Sequence, residues 1–179
     1  MLDAAGSVLI VIDVQEKLSR VIYQREYLVS NLQKLIKGIM VLGVPIIVTE
    51  QYPRGLGATI PEIEPLLAGI PHLPKTCFSC CGDETFLSNL ESLGRKQVLV
   101  CGIESHVCVY QTVSDLLAAD YETHVITDAV SSRTPENRQL GFEMMKQIGA
   151  RVTGTEAALF ELLRAAEGDK FREISRIVK

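Results

Sequence analysis

Residues 98–117 read VLVCGIESHVCVYQTVSDLL. A short apolar run (Val98 to Cys101) meets Gly102, and a helical pattern takes over a few residues later. A strand that leads directly into a helix is the half-unit of a parallel α/β sheet. Cys108 falls in the first turn of that helix, where free N–H groups and the helix dipole favour thiolate over thiol. It also lies near the carboxyl end of a strand, where open α/β sheets place their ligands.

Working outward, the same alternation recurs. Val8 to Asp13 (VLIVID) is a continuous apolar run, the mark of a strand buried on both faces. Leu28, Leu32, Leu35, Ile36, Ile39 and Met40 repeat with a helical period between Tyr27 and Leu42. Gly43 stops that helix and Pro45 to Glu50 reads as a second strand. A glycine- and proline-rich loop follows over Gln51 to Pro61, then a short helix over Glu62 to Leu67. Lys75 to Gly82 is irregular or a short strand, and Asp83 is placed to cap the helix FLSNLESL. After the helix that carries Cys108, which runs to about Ala119, Thr123 to Ala129 gives a further strand. Pro135 opens a helix to about Ile148. Arg151 to Gly154 is a short strand, with Thr155 capping the helix beyond it. The tail, 169–179, forms an amphipathic helix with Phe171, Ile174, Ile177 and Val178 on one face; its own core or a second subunit must cover them. The pattern predicts an α/β fold: a doubly wound, mostly parallel sheet of five to six strands with helices on both faces, in one domain over 1–179.

Bulk properties bound the function. The 179 residues carry a formal net charge of −4, which gives no general attraction to nucleic acid or anionic membrane. No apolar run reaches the ~18 residues needed to span a bilayer, and a strand that begins near Ser7 leaves no room for a removable signal peptide. Five cysteines, two of them adjacent (Cys80 and Cys81), argue against a disulfide framework. A reducing compartment is expected, with the cytoplasm as default and an organelle left open. The partners expected are a small-molecule substrate and further copies of the chain in a homo-oligomer.

At the carboxyl ends of the strands three residues should meet: Asp13 closing the first strand, Lys75 opening KTCFSCCG, and Cys108. Together they supply a nucleophile, an acceptor for its proton and a cation to balance charge, the set that covalent catalysis at a carbonyl carbon requires. The three histidines fit less well. His106 stands two residues before Cys108, about 200° round a helix; His124 is at the wrong end of its strand; His72 has no evident tie to the site. Asp13 is therefore the better base, with Lys75 lowering the pKa of both acid groups by its charge. Gln15, Tyr52 and Phe78 lie beside these motifs and are candidate substrate-binding residues. Arg133 and Arg138 are read as a solvated face, with guidance of an acidic substrate as the alternative.

VLIVIDVQEKL, KTCFS and GIESHVCV resemble the three signature segments of the isochorismatase-like cysteine hydrolases, with TEQYPRGLG and DAVSSR in the same style. The resemblance covers roughly Val8 to Ser132. It implies Asp13 as general base, Lys75 as electrostatic support and Cys108 as nucleophile. It also implies a cis peptide at Ile103–Glu104, with the backbone N–H groups of Glu104 and Cys108 forming an oxyanion hole. Nicotinamidase-type relatives carry an Asp-x-His metal motif where this chain has Glu50-Gln51-Tyr52, so no metal and no cofactor are expected. Relatives that cleave isochorismate lack the cysteine, which points away from that substrate. The pattern is closest to the isochorismatase domain-containing subgroup. The resulting expectation is a cysteine-dependent hydrolase that acts on a small amide, ureido or related C–N substrate through a thioester.

Three alternatives remain beside it. One is an oligomeric binding or scaffold protein of the same fold without turnover. A metal site built from Cys77, Cys80 and Cys81 lacks its second half. A dinucleotide enzyme lacks the glycine fingerprint, because Asp13-Val14-Gln15-Glu16 occupies the first turn.

Overall fold

Six parallel strands form one sheet in the order β3-β2-β1-β4-β5-β6 in the computed structural model, which describes residues 1–179. The strands are β1 (Ser7–Ile12), β2 (Ile46–Gln51), β3 (His72–Lys75), β4 (Gln97–Ile103), β5 (Glu122–Ser131) and β6 (Arg151–Thr153). The helices are α1 (Glu16–Ser19), α2 (Arg25–Leu42), α3 (Pro53–Leu56), α4 (Glu84–Ser92), α5 (Tyr110–Ala118), α6 (Pro135–Gln147), α7 (Thr155–Leu163) and α8 (Gly168–Val178). The chain winds one way from β1 to β3 and the other way from β4 to β6. The order therefore reverses between β1 and β4, and the crevice at their carboxyl ends is the switch point at which such sheets bind ligands.

The continuous apolar strands are explained by burial on both faces. Leu9 and Val11 of β1, with Leu99 and Cys101 of β4, pack under α2, α7 and α8, while Val8, Ile10, Ile12, Val98 and Val100 pack under α4, α5 and α6. The tail finds its cover within the chain. Ile174 of α8 is fully buried in the first of these layers, and Lys34 of α2 donates to the carbonyl of Val178.

Local details differ from the sequence reading in three places. The third strand ends at Lys75 rather than beginning there, which sets the lysine at a carboxyl end like Asp13. Thr155 is the first helical residue rather than the cap; its N–H and hydroxyl both donate to Asp128, reaching across from β5. β5 is longer than predicted because its register jumps against β4 between Val100 and Gly102. The Arg138 guanidinium is turned onto the sheet: it donates to the carbonyls of Thr127, inside the stretch that the jump leaves unpaired with β4, and of Val130, where that pairing resumes opposite Gly102.

Candidate active site

The β1 ladder ends at Ile12, and Asp13 turns the chain with a left-handed φ of 52°. Its side chain is fully buried and both carboxylate oxygens are engaged. Oδ1 accepts from the Thr49 hydroxyl at 2.8 Å and Oδ2 from Lys75 Nζ at 2.7 Å. The Lys75 ammonium also donates to Gln51 Oε1 (2.7 Å) and to the carbonyls of Phe78 (3.0 Å) and Cys77 (3.2 Å). Every group around it is an acceptor. Burial works against the charge, but the Asp13 carboxylate and the sulfurs of Cys80 and Cys108 outweigh it and hold Lys75 above the ordinary lysine range.

Cys108 sits in a π-helical turn, Ser105–Val109, that precedes α5, so its turn is wider than the regular helical start read from the sequence. The thiol is buried at 6% exposure. Burial first, then the Asp13 carboxylate as charge and hydrogen-bond partner, push its pKa up against the opposing effect of Lys75. Helix position, which favours thiolate, is thus opposed here by burial of the thiol. The turn is held tightly. Ser105 bonds Ser132 through both its N–H and its hydroxyl, and a Cβ added at Gly141 of α6 would lie 2.6 Å from the Ser105 carbonyl carbon. Gly102, at φ 118°, lets β4 approach β1 so closely that a Cβ would stand 2.0 Å from the Ile12 carbonyl oxygen. The Ile103–Glu104 peptide is cis, and the Glu104 N–H donates to no other group of the chain. The Glu104 carboxylate takes the N–H and Nε of Arg133.

The three further residues expected to bind substrate fare differently. Gln15 is fully buried and both its amide hydrogens go to backbone carbonyls, of Gln51 and Gly57, while its Oε1 accepts from Gln51 N–H. It ties the rim together and has no hydrogen left for a ligand, which corrects its assignment to the pocket. Tyr52 is 55% exposed and borders a hollow of about 420 Å³ with Arg54, Lys75 and Thr76; neither Asp13 nor Cys108 lines it. Phe78 is 54% exposed at the rim, and its carbonyl is a partner of Lys75. A larger hollow, about 710 Å³ beside Gln24, Tyr27 and Arg138, lies apart from these residues.

Each histidine has its own partner outside the site. His106 Nδ1 pairs with the Ser132 hydroxyl, His124 with Glu122, and His72 with Glu50. Glu50 itself is held below the usual carboxylate range: burial opposes its charge, but hydrogen bonds from Thr59 and His72 prevail. All five cysteines are free, and Cys80, not Cys81, is the one beside the acid–lysine pair; burial pushes its thiol up to about 12. Sequence reasoning missed Thr49 and Gln51. The signal was present: they alternate at the end of β2, so both point to the face where Asp13 and Lys75 lie.

The sheet order and its carboxyl rim define a class, the isochorismatase-like α/β fold. Residues 7–157 match the isochorismatase domain, and the chain belongs to that family. It is 39% identical to isochorismatase domain-containing protein 2 of Danio rerio over 99% of this chain and 89% of that protein. Among solved structures it resembles the MAR1 ribonuclease of Caenorhabditis elegans, with a TM-score of 0.93 and 38% identity over 99% of this chain and 91% of the other. It shares its fold with the Escherichia coli YcaC product, described as an octameric hydrolase of unknown specificity (TM-score 0.93, 20% identity, covering 98% and 88%). No helix is long and apolar enough to cross a membrane.

Proposed function

We propose that the chain is a cysteine hydrolase that cleaves the C–N bond of a small amide or ureido substrate. One observation carries this reading: a fully buried Asp13–Lys75 pair at 2.7 Å, whose carboxylate helps burial to raise the pKa of the Cys108 thiol. Two neighbouring anions are disfavoured, so the sulfur gives up its proton only as it attacks. As the sulfur attacks the carbonyl carbon, its proton passes to Asp13, and Lys75 balances the charge throughout. The oxyanion takes hydrogen bonds from the N–H groups of Glu104 and Cys108. Asp13 then returns the proton to the departing nitrogen and an acyl-thioester remains. Water, deprotonated by Asp13, attacks the thioester, and the sulfur leaves and regains its proton.

The test is ammonia release from a panel of small amides and ureido acids by the native enzyme, Cys108→Ala and Asp13→Asn. Turnover that survives either substitution removes the proposal. The description of the C. elegans relative raises RNA hydrolysis as a competing activity. Against it, histidines are the usual acid and base for that chemistry, and all three here are tied to partners away from Cys108. Release of acid-soluble nucleotides from RNA by the Cys108→Ala protein would favour that activity over ours. We also expect self-association, because Val21, Tyr27, Met40 and Leu140 present apolar side chains to solvent; light scattering reads the mass.

A further inference from the structure

The end of β2 carries two neutral side chains on one face, two residues apart, and each touches one member of the buried ion pair. Thr49 donates to Asp13 Oδ1 at 2.8 Å; Gln51 accepts from Lys75 Nζ at 2.7 Å. Resting on the proposed hydrolase reading, we infer that Thr49 and Gln51 are positioning residues that keep Asp13 anionic and Lys75 cationic, so that Asp13 stands ready as a base.

Their polarity is what matters. A donor on a carboxylate and an acceptor on an ammonium each favour the charged form. Were the two reversed, the proton would be drawn from Lys75 to Asp13 and the base would be lost. Neither side chain is free to turn. The Gln51 amide nitrogen donates to the Thr76 carbonyl at 2.8 Å, so its oxygen must face Lys75. The backbone of Gln51 is held on both sides by the Gln15 amide. Thr49 is fully buried, and beyond Asp13 its hydroxyl meets only the Cys80 sulfur, at 3.6 Å. Gln51 also supplies its lone pair without charge. A carboxylate in its place would add a second anion beside Lys75 and oppose the departure of the thiol proton.

The experiment is the pH dependence of Cys108 alkylation by iodoacetamide, followed by peptide mass, on the full chain. In the native protein a thiol that hands its proton to Asp13 should alkylate at a rate nearly independent of pH from about 6 to 8, and then fall below a single acid limb. A small thiol in the same solution should lose about tenfold per pH unit, as any thiol does below its pKa of about 8.5. Gln51→Glu should move the acid limb up by about one unit. Thr49→Val should move it the same way by less, and Thr49→Ser should restore the native profile. Profiles for Gln51→Glu and Thr49→Val that superimpose on the native one, with unchanged thermal melting, overturn the inference. If Gln51→Glu does not fold, the Thr49→Val and Thr49→Ser pair decides alone. A native Cys108 that tracks the small thiol instead overturns the hydrolase reading, and this inference with it.

Discussion

The two ends of the β-sheet carry similar chemistry under opposite conditions. At the amino-terminal edge Glu122 gathers Gln97, His124, Arg151 and the amino terminus, with its own side chain one-third exposed. At the carboxyl rim Asp13 and Lys75 are sealed at 0% and 1% exposure. Water solvates the first network whether or not its pairs form, so each contact contributes little. At the rim neither charge is exposed to bulk solvent, so protein groups, Thr49 and Gln51 among them, take over its solvation. The same residue types thus form a solvated network at one end and a sealed ion pair at the other.

The comparison can be broken in order of effect. Asp13→Asn should lower hydrolysis by about 10³-fold or more, measured as kcat/KM on whichever panel amide the native enzyme turns over. Lys75→Met leaves a buried carboxylate unpaired and should destabilise by about 3–5 kcal/mol in urea unfolding. The double substitution Asp13→Asn/Lys75→Met should recover part of that loss; no recovery would mean the pair is not the unit it appears in the geometry. Gly141→Ala presses a methyl group onto the Ser105 turn and should cost about 1–3 kcal/mol. It should also slow Cys108 alkylation, because that turn carries the thiol.

The smallest effect belongs to the opposite edge. Hydrogen bonding from Gln97, against modest burial and aided by His124 and Arg151, holds the Glu122 carboxyl below the usual range. A depressed carboxylate contributes stability that is fully present above its unfolded value of about 4.3, and that is lost as pH falls through the lower folded value. Thermal melting from pH 3 to 6 should show Glu122→Gln less stable than native by under ~1 kcal/mol above pH 5, with the gap closing toward pH 3. A loss at pH 7 as large as that of Lys75→Met would erase the contrast between the two ends.

The sheet was legible in the sequence because both of its faces are buried, which makes strands such as VLIVID and QVLVCG continuous apolar runs. Asp13, Lys75 and Cys108 were legible as residue types at strand ends. What stayed hidden depends on contacts between distant segments. Gln15 looked like a pocket residue because it borders a motif, yet its amide is consumed by backbone groups 36 and 42 residues away. Asp128 as the partner of Thr155 needed the fold to bring β5 to the start of α7. The upward push on the Cys108 pKa was missed because helix position and the Lys75 charge were weighed without the burial of the thiol.

In the parallel pairing of β2 with β3, Gln51 stands opposite Lys75 and Thr49 opposite Leu73. Side chains alternate along a strand, so this pairing behaves as a reading frame. Slip it by one residue and Glu50 would stand opposite Lys75 in place of a neutral amide. Strand register thus fixes which charges surround the buried ion pair: only the correctly paired strand presents a neutral amide to Lys75.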